Sequence, residues 1–334
     1  MAKRVTRNDV AKAAGVSPTT VSFVLNGRTE MSISEETAQR VRDTARLMGY
    51  APNRAAMALR SGRANTVALW MSVLCPTYYS QIIDQTQRLA YNSGYDMMIT
   101  DTAVVRDRDE HLRRLSQWTV DGILAFDSVR YVLEYMQRYA QANIPIVTMG
   151  ADTAQHLDHV HMNLYPGAKQ AAEHLVACGC RSIAFICDQY GVDISEPRYR
   201  AYQETMSEAG LEPAVVVLPG RTRQSAWQAF LNWLDTNPCP EGLMAYNDEI
   251  AIGLHRALWD RGVRMPDDVC LVGHDGIVDV DYLEPRISTV VLPTDAMCQH
   301  AWQLLLDRIQ VPDLPIREVE LITRLRTSQS SDRT

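Results

Sequence analysis

From Asn65 onward the chain repeats one pattern, in which strand-sized apolar runs alternate with amphipathic stretches of ten or more residues. Val67 to Val73, Asp96 to Thr100, Gly122 to Phe126 and Pro145 to Met149 read as strands, with helices such as Tyr79 to Ser93 and Arg106 to Gln117 between them. A crossing segment follows near His159 to Asn163, and the rhythm then restarts. The second series has helices at Gly167 to Cys178, Arg198 to Ala209, Ser225 to Asp235 and Asp248 to Arg261. Its strands are Ser182 to Cys187, Ala214 to Leu218, Gly242 to Tyr246 and Val269 to Val272. Repeated strand–helix units of this kind form parallel sheets covered by helices. Ligands of such sheets bind beyond the carboxyl ends of the strands, so residues at those ends become candidates for a binding site.

Residues ahead of Asn65 follow a different rule. The first 64 residues carry eleven basic side chains against five acidic ones, a net of +6, which leaves −13 on the remaining 270. A basic head on an acidic body fits a polyanion-binding module joined to something with another task. The local signals give three short helices. Thr6 with Asp9 three residues on forms a variant capping box, with Val10 and Ala14 on one face and Gly15 as the stop. Ser17 followed by Pro18 starts a second helix, because the Ser oxygen can accept an orphan amide and Pro suits the first helical position. Val21, Val24 and Leu25 face inward there, and Asn26-Gly27 ends it. Ser34, with Glu35 and Glu36 near the positive end of the dipole, opens a third helix that buries Ala38, Val41, Ala45 and Met48 and stops at Gly49. Two short helices around a tight Gly turn are a helix-turn-helix, whose second helix enters the major groove of DNA.

The wider string VTRNDVAKAAGVSPTTVSFVLNG, continued by SISEETAQRVRDTARLMGYAPNRAAMALRSGRANTVAL, closely resembles the head of the LacI/GalR family of bacterial transcription regulators. The resemblance implies that Pro18 and Thr19 face bases, that Thr20, Ser22 and Asn26 contact phosphates or bases, and that Thr6, Ser17, Asn53 and Ala56 join the DNA-contacting set. Phe23 departs from the pattern, since most relatives carry an Arg there that reads guanine. A phenyl ring cannot donate to guanine, but it can touch a thymine methyl; folding back onto the head is the competing role. The Ala-rich segment NRAAMALRSG is too short to hold a helix alone in water. The family implies that two such hinge helices fold together on the operator and wedge a Leu into the minor groove, and Leu59 matches that Leu. A linker helix whose Leu59 covers the body is the alternative.

The body in turn resembles the two-lobed periplasmic sugar-binding fold. The expected architecture is therefore multidomain: an all-α helix-turn-helix head over 1–52, a hinge helix and linker over 53–64, and an α/β effector-binding and dimerisation body with parallel sheets over 65–334. Its N-lobe would take about 65–162 and 292–325, with the helix near Thr294 to Ile309 and strands near Arg317 to Leu325, and its C-lobe about 163–291. Tyr78 and Tyr79 after the first strand, Phe126 beside Asp127, Arg198, Asn247 and Asp275 are the candidate effector contacts. Arg200 competes with Arg198, because Ala201 stands where relatives usually have Gly. Asn247 and Asp248 could equally cap the next helix. Met162-Asn163, Asp275-Gly276 and His274 depart from common family residues, so the effector need not be a sugar.

Other chemistry is poorly supported. There is no Walker-type loop and no dinucleotide fingerprint. His156, His159 and His161 lack a fourth clustered ligand, Cys178-Gly179-Cys180 reads as a helix end rather than a thiol pair, and no nucleophile–base–oxyanion set is visible. No cofactor and no metal are expected. Seven scattered cysteines, no apolar leader and no apolar run near the roughly 20 residues of a membrane span suggest a cytoplasmic protein with reduced thiols. The expectation is an effector-responsive regulator, a repressor, that binds a palindromic operator in double-stranded DNA as a homodimer. A cytoplasmic small-molecule-binding module or sugar-processing enzyme with a basic head is the rival.

Overall fold

The computed structural model describes residues 5–25, 33–50, 63–72, 76–103, 106–139 and 143–333. Asn26, Asn53, Ala56 and Leu59 lie outside these residues, as does the hinge segment as a whole. The described chain divides into a unit ending at Asn65 and a second unit beginning at Thr66.

In the first unit, α1 (Arg7–Ala14), α2 (Pro18–Leu25) and α3 (Glu35–Leu47) follow the sequence signals. The capping box of α1 is complete: the Thr6 amide donates to Asp9 Oδ2 at 2.8 Å while the Asp9 amide donates to Thr6 Oγ1 at 3.4 Å. Gly15 closes α1 at φ 66°, a left-handed conformation that suits a residue without Cβ. Val10, Val21 and Val41, one from each helix, are fully buried at the centre, with Ala11, Ala14, Ala38 and Ala45 around them. Small side chains let three short helices approach closely, and the resulting core is correspondingly thin.

The second unit holds two six-stranded sheets. The first has the order β11-β5-β4-β3-β1-β2 and is parallel throughout, with β1 (Thr66–Met71), β2 (Asp96–Asp101), β3 (Gly122–Phe126), β4 (Ile146–Gly150), β5 (Asp158–Asn163) and β11 (Glu318–Ile322). The second has the order β12-β10-β9-β8-β6-β7, with β6 (Ile183–Asp188), β7 (Ala214–Leu218), β8 (Gly242–Ala245), β9 (Cys270–Asp275), β10 (Ser288–Val291) and β12 (Arg324–Arg326). In the N-lobe, α4 (Pro76–Asn92), α5 (Arg108–Leu115), α6 (Val129–Tyr139) and α11 (Thr294–Gln310) are the helices. In the C-lobe they are α7 (Tyr165–Ala177), α8 (Pro197–Ala209), α9 (Arg223–Leu234) and α10 (Asp248–Asp260). The central strands β3, β4, β6, β8 and β9 are buried at every residue, which is why they read as continuous apolar runs.

The chain passes between the lobes three times, after β5, after β10 and at Thr323. The last passage differs from the sequence reading, which kept the strands near Arg317 to Leu325 together in the N-lobe. Glu318–Ile322 does pair with β5, but Arg324–Arg326 pairs antiparallel with β10 in the other sheet. Buried Thr323 is the pivot: its hydroxyl donates to the Asn163 carbonyl at 3.0 Å and accepts from the Gly167 amide at 3.2 Å. Gly167 is needed there. A Cβ on it would stand 2.4 Å from Val290 Cγ1 and 2.5 Å from Thr323 Oγ1, so all three passages meet around the space left by one missing side chain. Gly167→Ala is expected to lower the stability of the protein by about 1–3 kcal/mol, read as a fall in the urea midpoint with an unchanged slope.

Candidate effector site and DNA-contact face

Because every strand but β12 runs parallel to its neighbours, the carboxyl ends of each sheet lie along one edge, and the loops leaving them are where function is to be sought. All six candidates there, Tyr78, Tyr79, Phe126, Arg198, Asn247 and Asp275, line a single cavity of about 150 Å³. Residues of both lobes contribute to it. A larger groove of about 320 Å³ lies between α6 and the end of α11, far from these strand ends. The smaller cavity is the better candidate because it lies at those strand ends and gathers Asp127, Arg198, Arg221 and Asp275 from both lobes. Its volume is below the roughly 300 Å³ at which drug-sized sites begin, so it fits a compact molecule.

One wall is aromatic. The rings of Tyr78, Tyr79 and Phe126 pack edge to face, with centroids 5.4 to 6.0 Å apart, at the start of α4 and the end of β3. The opposite wall is built on Tyr246, just past β8. The Arg198 guanidinium lies 3.6 Å from its ring centroid and that of Arg221 4.3 Å away, distances at which a cation is held by the ring's π face. Arg198 is fixed further by Glu196: Nε donates to Oε1 at 2.7 Å and Nη2 to Oε2 at 3.1 Å, while Nη1 donates to the Tyr246 carbonyl at 3.2 Å. Glu196 also accepts from the Arg198 amide and so caps α8. Burial alone would raise the Glu196 carboxyl, but the charge and hydrogen bonds of Arg198 outweigh it and hold the group down at about 2. Arg200, the competing residue, is exposed and lies over the Tyr165 ring at 5.0 Å, and it does not line the cavity.

Two carboxyl groups face these cations. Asp127, after β3, and Asp275, at the end of β9, both adopt positive φ, 43° and 120°, values that L side chains rarely take. Desolvation is the largest influence on each and raises Asp127 to about 6 and Asp275 to about 7. Asp127 Oδ1 accepts from the amides of Ala151 and Asp152 at 2.9 and 3.3 Å. It can approach because position 150 is Gly, where a Cβ would sit 2.2 Å from that oxygen. Beneath Asp275, the buried Asp248 accepts from the Thr289 hydroxyl at 2.7 Å and from the Ile277 amide at 2.9 Å, which fixes the turn after β9. Asn247 caps α10, its Oδ1 accepting from the Ile250 amide at 2.9 Å, and it also lines the cavity.

At the rim, the Thr77 hydroxyl donates to Glu249 Oε1 at 2.6 Å, and Arg223 donates to Thr77, Glu249 and Asp279 at 2.7 to 3.2 Å. Since Thr77 belongs to the N-lobe and the others to the C-lobe, this cluster bonds the lobes to each other. His274 is buried beside Asp275, where desolvation lowers its pKa well below the ordinary value and leaves it neutral. Among the described residues no group of His, Cys, Asp and Glu is arranged to hold a metal.

Sequence reasoning did not assign Arg221, Tyr246, Glu196 or the supporting Asp248 to this site, and Asp127 appeared only as the end of a strand. Arg221 sits in the LPGRTR loop just past β7, so its position at a strand end was the available signal. Its partner Asp188, 2.8 Å away, ends β6, and nothing in the spacing pairs them.

In the head, Ser17 and Thr19 are exposed and Pro18, Thr20, Ser22 and Phe23 are half-buried. Ser17 Oγ accepts from the Thr20 amide at 3.0 Å and shares a hydrogen bond with the Thr20 hydroxyl at 2.9 Å, so it caps α2. Thr6 is likewise engaged, its hydroxyl donating to Asp9 Oδ2 at 2.6 Å. Phe23 is absent from the described apolar core of the head, where Val21 and Val24 provide the inward face of α2.

Residues 6–53 match the family described as "Bacterial regulatory proteins, lacI family", and residues 172–331 match "Periplasmic binding protein-like domain". The HTH-type transcriptional repressor PurR of Vibrio atlanticus (strain LGP32) is 27% identical over 321 residues, 95% of each chain. That of Vibrio campbellii (strain ATCC BAA-1116) is 28% identical over 310 residues, 91% of this chain and 92% of the relative. These relatives are transcriptional repressors rather than enzymes. Among solved structures, the Lac repressor dimer bound to operator and the anti-inducer ONPF superimposes with a TM-score of 0.81 at 22% identity, covering 98% of this chain and 99% of that one. The transcriptional regulator CelR–cellobiose complex does so with a TM-score of 0.68 at 26% identity, covering 98% and 100%. No described helix is long and apolar enough to cross a membrane.

The raised carboxyls have a measurable consequence. An unfolded Asp titrates near pH 3.9, so a folded-state value of about 7 at Asp275 stabilises the fold below that pH and loses its contribution as pH rises through about 7. Asp275→Asn should therefore gain stability relative to the parent protein between about pH 4 and pH 7, in paired urea titrations without ligand. A constant difference across that range would show that Asp275 is ionised throughout.

Proposed function

The chain belongs to the LacI/GalR family of bacterial transcription regulators, and from that premise we propose that it is an effector-controlled repressor which binds a palindromic operator as a homodimer. The observation that carries the proposal is the convergence of Tyr78, Phe126 and Asp127 from one lobe with Arg198, Asn247 and Asp275 from the other on one buried cavity. A ligand touching both sets binds one lobe arrangement better than another, and only that difference in affinity can shift the population. The effector is a compact polar molecule that donates hydrogen bonds to Asp127 and Asp275 and accepts them from Arg198. The rim cluster of Thr77, Glu249 and Arg223 favours the same arrangement without ligand, so the effector's influence adds to an existing bias.

On the DNA side, the resemblance assigns base contacts to Pro18 and Thr19, phosphate or base contacts to Thr20, Ser22 and Asn26, a place in the DNA-contacting set to Thr6 and Ser17, and the hinge contacts to Asn53, Ala56 and Leu59, while Phe23, which departs from the pattern, either touches a base or packs on the head. The head's net charge of +6 supplies the phosphate attraction, and operator affinity should fall steeply with salt. The reduced thiols of the described cysteines accord with a cytoplasmic setting.

Selection of bound genomic fragments tests the DNA-binding function and gives the operator. A symmetric enriched motif is expected, and its absence would remove the operator-binding role. With the motif in hand, Phe23→Arg should shift preference toward guanine at one symmetric position if Phe23 reads a base; unchanged preference with lower stability would assign it to packing. For the cleft, small metabolites are screened for those that raise the melting temperature of the parent protein. Arg198→Met should abolish that rise while operator binding without ligand stays within about threefold of the parent, and a ligand that stabilises both equally lies outside the proposed site.

A further inference from the structure

We propose that the effector is a compact cationic amine, an amino alcohol or amino sugar, whose ammonium group lies against Asp127 and Asp275 and whose hydroxyl oxygens accept hydrogen bonds from Arg198. This rests on the cleft being the effector site, and it names the chemical class that the site selects.

The charges of the cleft and its rim do not balance. Arg198 is clasped by Glu196 at 2.7 Å, Arg221 lies 2.8 Å from Asp188, and Arg223 is shared between Glu249 and Asp279 at 2.8 and 2.7 Å. Asp127 and Asp275 are left over, so six carboxyls stand against three guanidiniums. The buried Asp248 beneath Asp275 adds to the excess. His274 does not reduce it, because desolvation keeps the ring neutral although Nδ1 lies 3.5 Å from Asp275 Oδ1. A cleft lined by an excess of one charge concentrates ligands of the opposite sign. An anion entering here would meet guanidiniums that are already matched and carboxylates that repel it.

The hydrogen bonds point the same way. Asp275 is only 7% exposed, yet it lines the cavity, as does Asp127 from the other lobe. Backbone amides support both carboxyls, those of Ala151 and Asp152 at Asp127 and that of Asp248 at Asp275, and among the described residues no side chain donates to either. Burial raises both despite the guanidinium of Arg198 nearby, and an ammonium beside them would restore their charged forms. An ammonium carries three donors, enough to serve both carboxyls at once. Arg198 uses one N–H of each terminal nitrogen on Glu196 and the Tyr246 carbonyl, which leaves the second N–H of each for ligand oxygens. The wall of Tyr78, Tyr79 and Phe126 covers the carbon frame between these polar ends. Bound in this way, the amine bridges Asp127 of the N-lobe to Asp275 of the C-lobe.

The test titrates the full-length protein with matched sets that carry an amine, a hydroxyl or a carboxylate: ethanolamine, ethylene glycol and glycolate; serinol, glycerol and glycerate; glucosamine, glucose and glucuronate. Dissociation constants are taken from the rise of the melting temperature with ligand concentration. At least one amine should bind about tenfold more tightly than its hydroxyl counterpart, and its carboxylate counterpart more weakly than either. Asp127→Asn keeps an acceptor oxygen for the Ala151 and Asp152 amides and suits the backbone there, since Asn tolerates positive φ. It should erase most of the preference for the amine, and Asp275→Asn should do the same; the melting temperature without ligand checks that each variant folds. No amine binding better than its hydroxyl counterpart, or a preference that survives both substitutions, overturns the proposal. If a hydroxyl or carboxylate compound binds best and Arg198→Met abolishes its binding, the cationic class fails while the cleft stands as the effector site. An amine indifferent to all three substitutions binds elsewhere and counts against both.

Discussion

The close meeting of three chain passages around Gly167 and Thr323 is the constraint on which the rest of the body depends. Each sheet is parallel except at β12, so the ends that carry binding residues all lie on one side of their lobe. They can share a cavity only if the lobes are joined close by. The Thr323 hydroxyl provides that join as donor to Asn163 and acceptor from Gly167, in a space that a single methyl group would fill. A buried hydroxyl with both bonds made is rigid, because losing either partner leaves an unsatisfied group in a dry interior. Motion between lobes must then occur by torsion in these passages, with the strand ends and their side chains carried as units.

Charge in the cavity follows a second rule. Each arginine is neutralised within its own lobe, Arg198 by Glu196 and Arg221 by Asp188, and each lies against the face of Tyr246. Asp127 and Asp275 have no such close cation and are held by backbone amides and by burial instead. The arginines are therefore preorganised, and the carboxyls are the groups left to respond to what enters. Their unusual backbone angles support this division, since strain of that kind persists only where the surrounding structure enforces it.

Most of the architecture was legible in the sequence because it is written in periodicity and punctuation. Buried parallel strands give unbroken apolar runs, Ser17-Pro18 and Ser34 start helices, and Gly15 and Gly49 end them. The strand at Arg324–Arg326 was harder to place, because three alternating residues beside β11 look like its continuation until Thr323 turns the chain into the other sheet. The site was legible to the extent that strand ends define it, and the six residues named there all line the cavity. What the sequence could not convey was pairing at long range. Arg221 meets Asp188, and Asp248 meets Thr289, across separations of 33 and 41 residues with no periodic signal.

The candidate contacts gather at one end of the C-lobe sheet, where Arg198, Asn247 and Asp275 line the cavity. At the carboxyl ends, recognition depends on desolvated charges brought together by two lobes, and a ligand acts by its unequal affinity for two arrangements of them. The strands β6, β8 and β9 that lead to this end are each buried along their whole length. A close-packed sheet has little freedom to bend in its middle, so Asp188 and Asp275 are held at a fixed spacing where β6 and β9 end.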